Sequence, residues 1–326
     1  MDSSPQKHRL LVVDDEPGIV NAVRRELTTP PLGHHSYEIE TFTDPLAALE
    51  RAKEQAFDVV LSDYRMPGMN GLDFLKALAK EQPDCMRVVL SGQTDLDSLI
   101  RMINETHIYR FIPKPWSAYF LKSTLAQAAQ FRQASLENRR LARTLREHGI
   151  ELPPGAVNAV DQILVVDDDA NVGNAIARVL TQRSRLDDVF HEALVEAHGH
   201  APDLNPGSLN VHVATTPLQA LKMADDIVFS CVLADYRMPG MDGAQFLAAF
   251  AEKQPDCAAI LLSGAANMEA IVLALDLAHI HAFIAKPWVD FELRVAVAQA
   301  LTRRRLQLEN RILAQICRAR DLGAVD

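Results

Sequence analysis

The sequence predicts an α/β protein built as two doubly wound domains, each a five-stranded parallel sheet with helices on both faces. Three observations lead there. The heptapeptide Asp63-Tyr64-Arg65-Met66-Pro67-Gly68-Met69 recurs as Asp235-Tyr236-Arg237-Met238-Pro239-Gly240-Met241, each time behind a short apolar run, Val59-Val60-Leu61 or Val232-Leu233. Ser91 matches Ser263, Lys114-Pro115-Trp116 matches Lys286-Pro287-Trp288, and Leu136-Glu137-Asn138-Arg139 matches Leu308-Glu309-Asn310-Arg311, every pair 172 positions apart, as in 63 to 235. A fixed offset within 326 residues describes two copies of one domain. Within each copy, short apolar runs alternate with helical stretches. Such strands must be covered on both faces, and right-handed crossovers make the neighbours parallel.

In the first copy Leu10-Leu11-Val12-Val13 is the first strand. Pro17 opens a helix to Leu27, its missing N–H falling among the donors that a helix start leaves free. A strand near Tyr37 to Phe42 follows, then a helix from Pro45 behind the capping candidate Asp44, the strand ending at Asp63, and a helix from about Gly71 to Lys80. Arg87 to Leu90, a helix near Leu96 to Ile103, Tyr109 to Ile112 and a long helix from Ala118 complete five strands and five helices. The second copy repeats this order from Ile163. Its connection from Leu180 to Val211 takes 31 positions where Leu27 to Ile39 takes 12, an insertion of 19. The insertion holds a short helix candidate, Leu186 to Ala197, and the breaker-rich Gly199 to Gly207. His191, His198, His200 and His212 raise a metal site there, but no H-x-x-x-H spacing or cysteine accompanies them. The loop reads as a partner surface or an ornament.

Between the copies Leu121 to Leu145 has helical character, and Gly149 to Gly155, with two prolines, ends it. The expected domains are 1–131, a helical extension and linker at 132–160, a second domain at 161–303 with its insertion around 181–210, and a helix at 304–326. Leu301, Leu308, Ile312 and Ile316 give the tail from Leu293 to Cys317 a partial apolar stripe. It serves either packing on its own domain or a coiled-coil contact with a second chain.

A net charge of −10 argues against a broad nucleic-acid surface, which needs clustered Lys and Arg. The N-terminus has no basic, apolar, small-residue order of a secretory signal, so a cytoplasmic protein is expected. The most apolar stretch, Ala258 to Ala285, is broken by Ser263, Asn267, Glu269, Asp276, His279 and His281, so no membrane span is expected. Cys85, Cys231, Cys257 and Cys317 lack CxxC spacing and read as reduced thiols in apolar elements.

The chemistry gathers at strand ends. Asp14 and Asp15 follow the first strand, Asp63 the third, Ser91 the fourth and Lys114 the fifth; the second copy supplies Asp167, Asp168, Asp235, Ser263 and Lys286. In a parallel sheet these groups meet at one edge. Three carboxylates repel unless a cation neutralises them, and hard oxygen ligands suit Mg²⁺ completed by waters. One carboxylate then has an oxygen free to attack phosphorus while metal and lysine balance the developing charge. Asp63 and Asp235 are the nucleophile candidates.

Acidic pair, D-Y-R-M-P-G-M, small hydroxyl residue and Lys-Pro together resemble the receiver domain of two-component response regulators, over both copies and most of the chain. The resemblance implies a flavodoxin-like fold and phosphoryl transfer from a histidine kinase or phosphotransfer protein to Asp63 and Asp235. It implies Mg²⁺ (or Mn²⁺), one per domain. Asp15 and Asp168 would be direct ligands with the aspartates, Asp14 and Asp167 would act mainly through metal-bound water, and the backbone carbonyls of Arg65 and Arg237 would complete the protein set. Ser91 and Ser263 would hydrogen-bond the phosphoryl group and Lys114 and Lys286 would pair with it, each lysine preceding a cis peptide bond to Pro115 or Pro287. Phe111 and Phe283 occupy the place of the family's swinging aromatic, commonly Tyr. Arg65 with Gln93, and Arg237 with Ala265, occupy positions that tune dephosphorylation, so different phosphate lifetimes are expected.

Around these motifs the sequence is similar to receivers that precede cyclic-dinucleotide phosphodiesterase or transcription-activator modules, yet only the short stretch 304–326 follows the second copy. The expectation is therefore a tandem-receiver phosphorelay protein, self-phosphorylating and self-dephosphorylating without a separate catalytic domain, that switches protein contacts or dimerises. Its expected partners are the kinase or phosphotransfer protein and a downstream protein effector, with a second copy of the chain as a further candidate and with no nucleic acid or membrane. A phosphate sink or relay for a shared kinase differs only kinetically. An aspartate-nucleophile phosphatase would need a second acid two residues beyond the nucleophile, where Arg65 and Arg237 stand.

Overall fold

The computed structural model describes residues 6–28, 35–92, 106, 108–150, 160–182, 209–264, 280–320 and 322. The helices expected over 96–103 and 186–197, Gln93, Ala265 and the insertion histidines His191, His198 and His200 lie outside the described residues. The chain forms two compact units, the first running to Gln133 and the second from Ala134.

The first unit contains β1 (Gln6–Val13), α1 (Pro17–Thr28), β2 (His35–Phe42), α2 (Pro45–Glu54), β3 (Val59–Asp63), α3 (Gly71–Glu81), β4 (Met86–Ser91), β5 (Arg110–Pro113) and the start of α4 (Ala118–Glu147). The second contains β6 (Asp161–Val166), α5 (Ala170–Thr181), β7 (Leu209–Ala214), α6 (Pro217–Asp226), β8 (Cys231–Asp235), α7 (Gly243–Lys253), β9 (Ala258–Gly264), β10 (Ala282–Lys286) and α8 (Asp290–Ala319). The sheets have the orders β2-β1-β3-β4-β5 and β10-β9-β8-β6-β7, the same order written from opposite edges. All pairs are parallel.

The pairing fixes the insertion. Leu10 lies opposite Ile39 and Val59, and Ile163 opposite Val211 and Cys231. The numbering offset between the copies is thus 153 on the first strand (163 − 10) and 172 on the second and third (211 − 39 and 231 − 59), so the insertion of 19 (172 − 153) enters between the first two strands. A slip of one residue on any of these strands would move its side chains to the opposite face of the sheet.

Burial follows the apolar runs. Leu10, Leu11, Val12 and Val13 are fully buried, and every residue of β3 and of β8 is buried. In the first unit Leu11, Val13, Phe57, Val60, Phe74, Leu75, Leu78 and Val89 form one cluster under α2 and α3. Each such side chain contributes about 1.5–3 kcal/mol on leaving water. Capping is local and matches the sequence: Asp44 accepts from Leu46 N at 3.0 Å, and Asp242 and Gln245 form a reciprocal capping box on α7. Gln82 receives the Phe57 N–H at 2.8 Å and donates to the Ala52 and Gln55 carbonyls; Gln254 repeats the clamp on Phe229, Ala224 and Ile227.

The expected tail stripe is corrected. Of Leu301, Leu308, Ile312 and Ile316, only Leu301 is buried and Ile312 is 42 % exposed; the buried line on the far half of α8 is Leu306, Leu313 and Cys317. Its phase at Leu313 and Cys317 is set by Leu141, Ala142 and Leu145 of α4, which pack there within the second unit. All four cysteines are buried free thiols, and burial pushes Cys85 and Cys257 up to about 12. Among the described residues no helix is long and apolar enough to cross a membrane.

Candidate functional site

Each sheet reverses its strand order beside its first strand, and the crevice of a parallel sheet opens there, at the carboxyl ends. Asp14 follows β1 and Asp63 ends β3, on adjacent strands. Asp14, Asp15 and Asp63 each present a carboxylate oxygen within 4.8 Å of the others; Asp167, Asp168 and Asp235 do the same in the second unit. Asp14 and Asp167 are buried, at 0 % and 1 % exposed, whereas Asp15 is half-buried and Asp168 exposed.

One lysine closes each triad. Lys114, delivered by β5, reaches Asp14 Oδ2 at 2.8 Å and Asp63 Oδ1 at 2.7 Å; Lys286 reaches Asp167 Oδ2 and Asp235 Oδ1, both at 2.7 Å. The peptide bond after each lysine is cis, as the family resemblance implies. Backbone donors hold the acids in place: Glu16 N on Asp14, Asp169 N on Asp167 and Arg65 N on Asp63, each at 3.0 Å. Burial raises the Asp14 and Asp167 carboxyls above the usual range, against the hydrogen bond from the lysine. Burial works against the charge of each lysine, but its carboxylate hydrogen bonds outweigh that and hold it above its ordinary value.

The donor set fits a divalent cation. Three carboxylates and one ammonium leave each site with two uncompensated negative charges, and every offered ligand is a hard oxygen. Such an ion would supply charge neutralisation and Lewis acidity toward a phosphoryl oxygen.

Ser91 and Ser263 lie at the carboxyl ends of β4 and β9; each is buried and its hydroxyl donates to the following glycine carbonyl at 3.2 Å. Phe111 is half-buried against the core of the first unit, whereas Phe283 is buried at 6 % exposure. Two site residues escape the sequence reading. Gly71 and Gly243 open the helices after the loops that follow Asp63 and Asp235, with their N–H groups bonded to the Tyr64 and Tyr236 carbonyls at 2.9 and 2.8 Å. A Cβ on either would stand 2.2 Å from the carbonyl oxygen of Asp63 or Asp235. The signal was present, since the glycines recur at the same offset, but a repeated glycine carries no reason until its neighbour is known.

The family model for the response regulator receiver domain matches residues 10–126 and 191–298. The chain belongs to the response regulator receiver family. The second match begins after Asp167 and Asp168, yet β6 pairs with both β7 and β8 and brings that acidic pair to the second receiver site. Among curated proteins the chain is similar to the hydrogenase transcriptional regulatory protein HoxA of Cupriavidus necator, 30 % identical over 191 residues, 56 % of this chain and 38 % of the relative. It is also 31 % identical over 111 residues to the DNA-binding transcriptional regulator NtrC of Escherichia coli K12, 34 % of this chain and 22 % of the relative. The chain thus spans well under half the length of these relatives. A solved receiver domain of an HD domain-containing protein from Pseudomonas fluorescens Pf-5 is 27 % identical, covering 40 % of this chain and 92 % of that one, with a TM-score of 0.37. Receivers and response-regulator relatives place the chain in phosphorelay signalling.

Proposed function

We propose that this chain is a tandem-receiver response regulator, with receivers at about 1–131 and 161–303. It takes phosphoryl groups from a histidine kinase or phosphotransfer protein onto Asp63 and Asp235, with one Mg²⁺ per domain. The observation that supports this best is the repeated triad, two acids of each held by one lysine. An aspartate oxygen attacks phosphorus in line, the donor's leaving group departs, and charge on the equatorial oxygens is met by the lysine ammonium and the serine hydroxyl. Asp14 and Asp15, with their counterparts Asp167 and Asp168, would hold the ion that supplies the remaining positive charge. The carbonyls of Arg65 and Arg237 complete the proposed ligand set.

The added charge of about −1.5 to −2 would draw Ser91 and Lys114 toward the phosphoryl group, and Phe111 and Phe283 are the rings proposed to follow. The output is then a change in protein contacts, to a downstream effector or a second copy. The phosphatase alternative is disfavoured by Arg65 and Arg237 at the place of the second acid. Incubation with a small acyl-phosphate donor tests the reading: acid-stable, base-labile phosphate that requires Mg²⁺ and vanishes in Asp63→Asn/Asp235→Asn is expected. Phosphate retained in the double variant overturns it.

A further inference from the structure

The last helix of each repeat continues well beyond its sheet, α4 to Glu147 and α8 to Ala319. Within the second unit the two continuations lie together. Leu141, Ala142 and Leu145 share one buried cluster with Leu313 and Cys317, with Ile150, Ile316 and Leu322 at its edge. Further up, Asn310 Nδ2 donates to the Ala134 carbonyl at 2.9 Å. Contacts advance in the same direction along both helices, so the pair is parallel. Both ends close alike: Ile150 N returns to Leu145 O at 2.9 Å and Leu322 N to Cys317 O at 3.0 Å.

The cluster draws on repeat-equivalent positions of the two helices, Leu141 with Leu313 and Leu145 with Cys317. Asn138, Leu141 and Leu145 have Asn310, Leu313 and Cys317 as their counterparts at the common offset of the two copies. Steps of three and then four are those of successive a, d and a positions of a heptad, which places an asparagine at an a position on both helices. Asn138 Nδ2 and Asn310 Oδ1 are both buried without a hydrogen-bond partner, one a donor and the other an acceptor. A single polar pair at a is the device that fixes register and strand number in two-stranded coils, at a cost in stability.

We propose that the two extended helices form an in-register, parallel, two-stranded coil within one chain, with Asn138 paired to Asn310, so that the chain's own second helix fills the surface a second copy would otherwise occupy. The chain then recognises itself through this seam, and assembly with another copy through these helices is closed. The inference requires neither aspartate to be phosphorylated.

The direct test uses the full-length chain with Leu145→Cys, which sets a new thiol opposite native Cys317. Dilute protein is oxidised with diamide, and disulfides are mapped by peptide mass and by non-reducing electrophoresis. One bond joining position 145 to Cys317 inside a single chain is the expected result. A disulfide-linked dimer, or an unreacted new thiol in folded protein, overturns the proposal.

Asn138→Leu, Asn310→Leu and the double variant provide a second readout by melting temperature and light scattering. Each single change strands one buried amide and lowers the melting point, whereas the double change loses less than the two singles summed and adds species above monomer mass. Additive losses with unchanged mass would show that the two amides do not meet, and would sink the idea.

Discussion

Gly71→Ala perturbs the acceptor loop from outside the acid cluster. The new Cβ would lie 2.2 Å from the Asp63 carbonyl oxygen and 2.9 Å from the Tyr64 Cα, both backbone atoms that no rotamer can move aside. Restoring ordinary contact requires the end of β3 and the start of α3 to separate by about 1 Å. Overpacking of this kind costs about 1–3 kcal/mol. The better helix propensity of alanine returns at most about 1 kcal/mol in a helix interior and less at its first residue, so the clash wins. The displaced strand end carries Asp63, and misplacing a reacting group by about 1 Å costs on the order of 10²-fold in rate. Phosphorylation should be followed by intact mass with an acyl-phosphate donor and Mg²⁺, in an Asp235→Asn background that isolates the first receiver. Gly71→Ala should slow labelling by about 10- to 100-fold and lower the melting temperature. Gly243→Ala in an Asp63→Asn background should do the same in the second receiver, whose glycine faces Asp235 O at the same distance. Labelling at the parent rate with unchanged melting would refute the reasoning.

Lys114→Met leaves Asp14 and Asp63 without their shared ammonium. In EDTA the first receiver should lose about 1–3 kcal/mol, and Mg²⁺ should restore more stability to the variant than to the parent; equal melting in EDTA would show that the lysine does not hold the carboxylates. His8 is buried, which lowers its pKa below 6.5 despite Asp58 nearby, with Arg132 adding to the fall. The unfolded chain therefore binds a proton that the folded one refuses, so stability drops as pH falls through about 6.5 and levels off below the folded value. Denaturant titrations from pH 7.5 to pH 5 should show a smaller drop for His8→Gln than for the parent, and identical slopes would contradict this. Acyl-phosphate decay should differ between Asp63→Asn and Asp235→Asn proteins, because Gln93 in one receiver is replaced by Ala265 in the other. Matching lifetimes would remove these positions as the tuning elements.

Much of this protein was legible in its residues because the determinants are local. Apolar runs, Pro17, Pro45 and the cap at Asp44 each act within a few positions, and the second copy repeats most of these signals. Parallel pairing then forces Asp14, Asp63 and Lys114 to one edge, so the acid-lysine cluster followed from topology before any distance was known. The tertiary structure alone decided matters that depend on contacts far apart in sequence. A glycine's need is set by the carbonyl facing it, which is why Gly71 and Gly243 gained a role only beside Asp63 and Asp235. The register of β6 against β7 and β8 agrees with the place and length of the insertion read from the sequence. The stripe on α8 was misphased from sequence because helical periodicity permits several apolar lines. Leu141, Ala142 and Leu145 of α4 selected the one through Leu313 and Cys317 by packing against it.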